Sequence, residues 1–187
     1  MATDVKLPIT GEEEADRLLE EEPLALLIGM LLDQQIPMEW AFRSPHRLRE
    51  RLDGALDAAT IAGLDEDELT EVFGEKPALH RFPGSMARRT RDLCHHLLEH
   101  YDGEPARIWA DVDDGAELRR RLRELPGYGE QKVKVFIALL AKRFGITPDG
   151  WEEAAGDYAD DRPRSVADVD RPEAVDAVRE WKRAQKG

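Results

Sequence analysis

Leu125-Pro126-Gly127-Tyr128-Gly129 runs directly into Glu130-Gln131-Lys132-Val133-Lys134-Val135-Phe136, and the reading of this stretch decides the fold. Two glycines two apart allow a tight turn, and without Cβ atoms their amides can approach an anion closely. The apolar spacing of Lys132 to Phe144 predicts a helix beginning at that turn, so free N–H groups and a positive dipole end point to the same place. Phosphate is the natural guest. Lys132 and Lys134 stand in the first turn, where the dipole alone favours carboxylates, and this placement suggests an external anion.

Leu118, Leu122 and Leu125 before the turn, and Val133, Phe136, Ile137, Leu140 and Phe144 after it, have helical spacing and predict two amphipathic helices packed across a hairpin. A bare Pro-Gly-x-Gly could equally be an ordinary corner between helices. The flanks distinguish this one. The segment resembles the helix-hairpin-helix element of the base-excision DNA glycosylase superfamily, whose hairpin binds one DNA phosphate without sequence preference, often with a monovalent cation held by its carbonyls. Leu24 to Pro37 is similar to the superfamily's early helix, an apolar run ending in a glutamine-bearing turn, here Gln34-Gln35. Ala87 to Cys94, continuing to Tyr101-Asp102-Gly103-Glu104, resembles its middle helix and the turn that follows.

The resemblance is clearest over residues 24–145, with the hairpin at 125–130, and implies an all-α, two-lobed fold occupying the whole 187-residue chain as one unit. Residues 146–187 then form an acidic loop region and a C-terminal helix packed on the body. A single cysteine, Cys94, argues against a disulfide framework and against the four-thiolate iron–sulfur cluster that some members carry. No cofactor is expected beyond the hairpin cation. His95, His96 and His100 lack the ligands that would complete a metal site, and none is expected. The longest uncharged apolar run, Pro23 to Leu32, is too short to cross a bilayer, so a cytoplasmic, nucleoid-associated monomer without membrane contact is expected.

The net charge of −13 sits awkwardly with a DNA partner, because non-specific affinity comes from Lys and Arg displacing counterions. Its distribution moderates the conflict. Residues 1–22 hold eight acids and two bases, residues 148–170 hold the same numbers, and the rest of the chain is nearly neutral. Basic clusters stand out there, at Arg43, Arg47, Arg49 and Arg51; Arg81, Arg88, Arg89 and Arg91; Arg119, Arg120, Arg121 and Arg123; and Lys132, Lys134, Lys142 and Arg143. Each could instead pair with neighbouring acids as a solvated helix face.

Patterning predicts helices almost throughout. Thr10 with Glu13 has capping-box spacing before a helix to about Glu21, and Pro23 suits the opening turn of the next, the most buried, to Asp33. Pro37 opens a short helix holding Trp40 and Phe42, Pro45 to Leu52 forms another, Asp57 to Ala62 and Asp65 to Phe73 two more, and Gly74 to Gly84 is a loop expected near DNA. Thr147 to Asp161 is poor helix material apart from Trp151 to Ala155. A last helix from Arg171 to Ala184 docks through Val175, Val178 and Trp181, with Trp181 expected as a core anchor.

The resemblance also assigns chemistry. Superfamily members that cut the N-glycosidic bond carry an aspartate at a set distance beyond the position now held by Gln131, which makes Asp149 the candidate and Asp157 its reserve. Such a carboxylate stabilises an oxocarbenium-like sugar or orients water. The competing reading of Pro148-Asp149-Gly150 is a plain turn. Members that also nick the strand place a lysine at the site of Gln131, so a monofunctional enzyme is expected. Lys132, rotated about 100° along the helix, is expected as a phosphate contact.

Gln34, Gln35, Gly127, Tyr128, Gly129, Gln131, Lys132, Lys134 and Arg88 are the expected DNA contacts, with Tyr128 exposed at the hairpin tip. Trp40, Trp151 and Tyr158 are expected to line a pocket for an extruded base. The partner is double-stranded DNA with a damaged or mispaired base. Two alternatives remain at this level: a DNA-binding or damage-sensing protein of the same fold without hydrolysis, and a protein-interaction module using the acidic ends.

Overall fold

The run Pro23–Leu32 forms a helix, α2, in which every residue from Leu24 to Leu32 is buried, and the other elements are arranged around it. A computed structural model describes residues 6–186. Ten α-helices are formed among the described residues, with no strand and one isolated bridge between Asp114 and Asp149. On one side lie α1 (Glu13–Glu21), α3 (Met38–Arg51), α4 (Ala58–Gly63), α5 (Glu66–Gly74) and α6 (Pro83–Tyr101). On the other lie α7 (Gly115–Arg123), α8 (Glu130–Phe144), the short α9 (Trp151–Ala155) and α10 (Ala174–Lys186). α2 touches α1, α3 and α6 of the first group and α8 of the second, so it is the shared wall of two lobes.

Local chemistry explains most boundaries. Asp65 and Glu68 form a reciprocal capping box at the start of α5, and the Asp57 and Asp114 side chains accept from the third amides of α4 and α7. Gly29 lets α3 cross close to α2, since a Cβ there would stand 2.5 Å from the Phe42 ring. At the other end of the chain, Val175 and Val178 dock α10, as their spacing predicts.

Two local expectations are corrected. The two short helices expected around Pro45 are one, α3, with Pro45 inside it. An internal proline costs ~3 kcal/mol in an isolated helix, but Ala41, Phe42, Pro45 and Leu48 are all buried along the same helix, and Ser44 Oγ donates to the Trp40 and Leu79 carbonyls beside the missing bond. Thr10 does not pair with Glu13. Its hydroxyl donates to Asp16 (2.8 Å) and accepts from the Glu12 amide, and α1 begins after Glu12.

Tyr128 is the larger correction. It is buried, not exposed: its hydroxyl donates to the Leu27 carbonyl of α2 at 2.7 Å and its ring meets Phe136 edge-on. Burial pushes its phenol well above the ordinary tyrosine range. The aromatic residue between the two glycines therefore anchors the hairpin to α2. Tyr128→Phe is expected to lower the unfolding free energy by ~1 kcal/mol, the worth of one buried hydrogen bond. Urea denaturation reads it; an unchanged midpoint would fit a solvent-facing ring instead.

Candidate functional site

The hairpin works through its backbone. Gly127 has φ +83°, where only glycine is comfortable, and a Cβ on it would lie 2.3 Å from Leu31 Cδ1, so the turn is pressed onto the end of α2. Gly129 differs: its φ of −84° is open to any residue, and a Cβ there would meet nothing within 4 Å. It caps α8 without a side-chain partner, so no cap hydrogen bond occupies the first amides of the helix. Glycine at 127 is required by the fold. At 129 it keeps an approach open.

Opposite the hairpin, α2 ends in a strained turn, with Gln35 at φ +62°. His80 holds this turn from outside. Its Nδ1 accepts from the Phe82 amide, so Nε2 carries the proton and donates to the Gln34 carbonyl at 3.0 Å. Burial keeps this imidazole below its ordinary range, in keeping with the neutral ring these bonds need. Phe82, the next residue but one, is 44% exposed. The loop expected near DNA thus carries an exposed aromatic beside the Gln34 turn.

Between hairpin and Gln34 turn lies a cavity of about 840 Å3. α2 contributes Met30 and the following Asp33 and Gln34; the hairpin and α8 contribute Gly127, Gly129, Glu130, Gln131, Lys132 and Val135. The far wall is Asp157, Tyr158, Arg164 to Val166, and Trp181, Lys182 and Gln185 of α10. Lys132 crosses the gap, donating to the Leu31 carbonyl (2.8 Å) and to Gln34 Oε1 (3.0 Å). It therefore faces the cleft rather than a phosphate outside it, and burial lowers its pKa to about 8. The Gln34 amide oxygen is thus fixed by Lys132, and Gln34 lines the cavity.

Several expected site residues stand elsewhere. Asp149 is exposed outside the cavity; its carbonyl accepts from Gly115 N at 2.7 Å, and Gly150 adopts φ +81°, the behaviour of a docked turn. Asp157 does line the cavity. Among the expected base-pocket aromatics only Tyr158 lines it: Trp40 donates Nε1–H to the Ala78 carbonyl, and Trp151 packs against the core beside α7. Lys134 lies over Gly156, outside the cleft.

Arg88 is paired with Glu66 at 2.7 Å on the surface, while Arg89, one position along α6, brings its Cδ to 3.9 Å from the Cβ position of Gly127. Trp181 is not a core anchor but a half-buried cavity wall, with the Arg164 guanidinium 4.6 Å from its ring centre.

A family model described as HhH-GPD superfamily base excision DNA repair protein matches residues 28–184. The chain belongs to the HhH-GPD superfamily. No curated protein matches. Two solved structures are similar to this HhH-GPD chain, each at 18% identity. One is a trapped endonuclease III–DNA covalent intermediate (TM-score 0.46, covering 76% of this chain and 78% of that one), and the other a non-covalent endonuclease III–DNA complex (TM-score 0.48, 91% and 79%). No helix among the described residues is long and apolar enough to cross a membrane.

The Lys132 geometry gives a direct test. The protonated amine is the form burial disfavours, so the fold is relieved as pH rises from about 8 towards the ordinary lysine value of 10.5. With 13C-labelled lysine side chains, Lys132 is expected to titrate near 8 while exposed lysines titrate as usual; a Lys132 resonance moving with the others would remove it from the buried position.

Proposed function

We propose that this HhH-GPD protein is a monofunctional DNA glycosylase of base-excision repair, which extrudes a damaged or mispaired base into the cavity and hydrolyses its N-glycosidic bond. The observation that carries the reading is that the hairpin glycines, the Gln34 turn and a carboxylate, Asp157, all border one cavity. The amides at Gly129 and the start of α8 take a backbone phosphate, with Arg89 beside them. The hairpin carbonyl of Leu125 accepts the Tyr128 amide and keeps a lone pair, as a ligand of the family's monovalent cation would. Such a cation would add positive charge beside the same phosphate.

Gln34, held by Lys132 and His80, presents its amide NH2 where a base leaves the stack, and the exposed Phe82 enters the space vacated, as apolar wedges do in kinked duplexes. The base enters between Tyr158 and Trp181, and Asp157 faces the positive charge that develops on the sugar. Lys132 acts here as a clamp with two of its three N–H groups committed, and Gln131 has no amine to offer, which supports hydrolysis without strand cleavage.

Duplexes carrying uracil, hypoxanthine, thymine glycol, 8-oxoguanine or 3-methyladenine, probed by alkaline cleavage, test the activity. Asp157→Asn is expected to reduce excision ~10²-fold or more and Asp149→Asn to leave it unchanged. Binding of all five without excision would support the non-catalytic DNA-binding alternative. Gly129→Val, placed in open space, is expected to fold normally and to bind any duplex at least ~10-fold more weakly, as lost anion contacts dictate; equal affinity would remove the hairpin from the interface. Borohydride is expected to trap no covalent complex with abasic DNA, and a trapped complex would show lyase chemistry.

A further inference from the structure

Among the described residues, Asp33 is the carboxylate that opens on both the main cavity and an adjoining one of about 280 Å3. It directly follows the last residue of α2 and lies between the charges of Lys132 and Lys182. No described donor hydrogen-bonds its carboxylate, and no ion pair closes with either lysine; the Lys132 ammonium is engaged instead by Leu31 and Gln34. The position is costly. A negative charge there meets the negative end of the helix dipole, and enclosure by protein strips its water. A residue chosen only to end the helix would be glycine, asparagine or a cation.

We propose that Asp33 is the proton-transfer carboxylate of the cavity, taking a proton from the water that attacks C1′ of an extruded nucleotide while the Lys132 ammonium protonates the departing base. The inference rests on the glycosylase reading above and adds to it a residue on the α2 side. As the water oxygen bonds to C1′, its proton passes to the Asp33 carboxylate. The C1′–N bond breaks, its electron pair leaves with the base, and the base nitrogen takes the third, uncommitted proton of Lys132. Proton return from the Asp33 carboxyl to the Lys132 amine through solvent restores both groups, and the net change is addition of water across the bond.

Enclosure, with the nearby Glu39 charge, raises the Asp33 pKa against the pull of Lys182 and Lys132, and burial lowers that of Lys132 to about 8, so the two shifts run in the directions a proton acceptor and a proton donor need. Asp157, on the opposite wall, keeps the separate task of facing the sugar's positive charge.

The test uses the full chain and whichever of the five lesion duplexes the wild type cuts fastest, under single-turnover conditions. Asp33→Asn is expected to lower the excision rate ~10²- to 10⁴-fold, leave affinity for a duplex with an abasic analogue unchanged, and melt at the same or a higher temperature, since an unpaired enclosed charge is removed. Formate is expected to restore part of the rate to Asp33→Ala. Excision by Asp33→Asn at the wild-type rate, or a loss accompanied by a lower melting temperature and no rescue by formate, would overturn the assignment while leaving the glycosylase reading in place. Wild-type protein that binds but cuts none of the five overturns both.

Discussion

Three groups of the hairpin region reach the carbonyl end of α2: the Tyr128 hydroxyl on Leu27, the Lys132 ammonium on Leu31, and the Gly127 backbone against the Leu31 side chain. The Leu31 carbonyl, in the last turn, lacks an intrahelical partner and takes the Lys132 ammonium, whereas the Leu27 carbonyl, one turn earlier, lies within the helix ladder and takes the Tyr128 hydroxyl as a second donor. Here that ordinary requirement of helix ending joins two lobes. It also sets the distance between the first turn of α8 and the Gln34 turn, and so the width of the cavity between them. Lys132 serves both sides of the junction, because the same ammonium that completes α2 also orients the Gln34 amide.

The overall acidity matters less than where cations remain free. Most of the arginine clusters are spent within the protein: Arg120 and Arg121 on Glu117, Arg119 on Glu130, Arg43 and Arg47 on Glu12, Arg88 on Glu66. Exposed pairs of this kind add little stability, but they leave little positive surface for diffuse attraction to DNA. On the proposed reading, binding comes from backbone amides and a few placed cations near the hairpin, and is expected to depend on salt only weakly for a DNA-binding protein.

The helices, the hairpin and the buried α2 were legible from periodicity, because the 3.6-residue repeat and turn glycines are local signals. The continuous α3 was not, since Pro45 is a local breaker whose tolerance depends on burial against neighbours far away in sequence. Tyr128 was misplaced for a related reason. A residue between two glycines looks like a tip until the Leu27 carbonyl, a hundred and one positions earlier, is known to receive its hydroxyl. Arg88 against Arg89 turned on one position of helix rotation, which spacing alone does not fix.

The site was less legible than the fold. Asp149 sat at the distance the family pattern asks for, but Pro148-Asp149-Gly150 is first a turn, and its backbone bond to Gly115 uses it as one. Asp33 carried one overlooked signal, an acid at the C-terminal end of the most apolar helix, where electrostatics disfavours it. The spacing of Val175 and Val178 announced the docking of α10, but not that the docked helix would turn Trp181 and Lys182 towards the cavity.

On the proposed reading, the hairpin and the Gln34 turn grip one duplex from the two sides of the cavity. Backbone amide NMR of the 15N-labelled protein, titrated with a duplex containing a tetrahydrofuran abasic analogue, tests this most directly. The largest shifts are expected on Gly127, Gly129 to Lys132, Gln34 and Gln35, and Phe82, with small changes along α7 and at Asp149. Shifts concentrated on the arginine face of α7, with the hairpin and Gln34 turn unmoved, would contradict it.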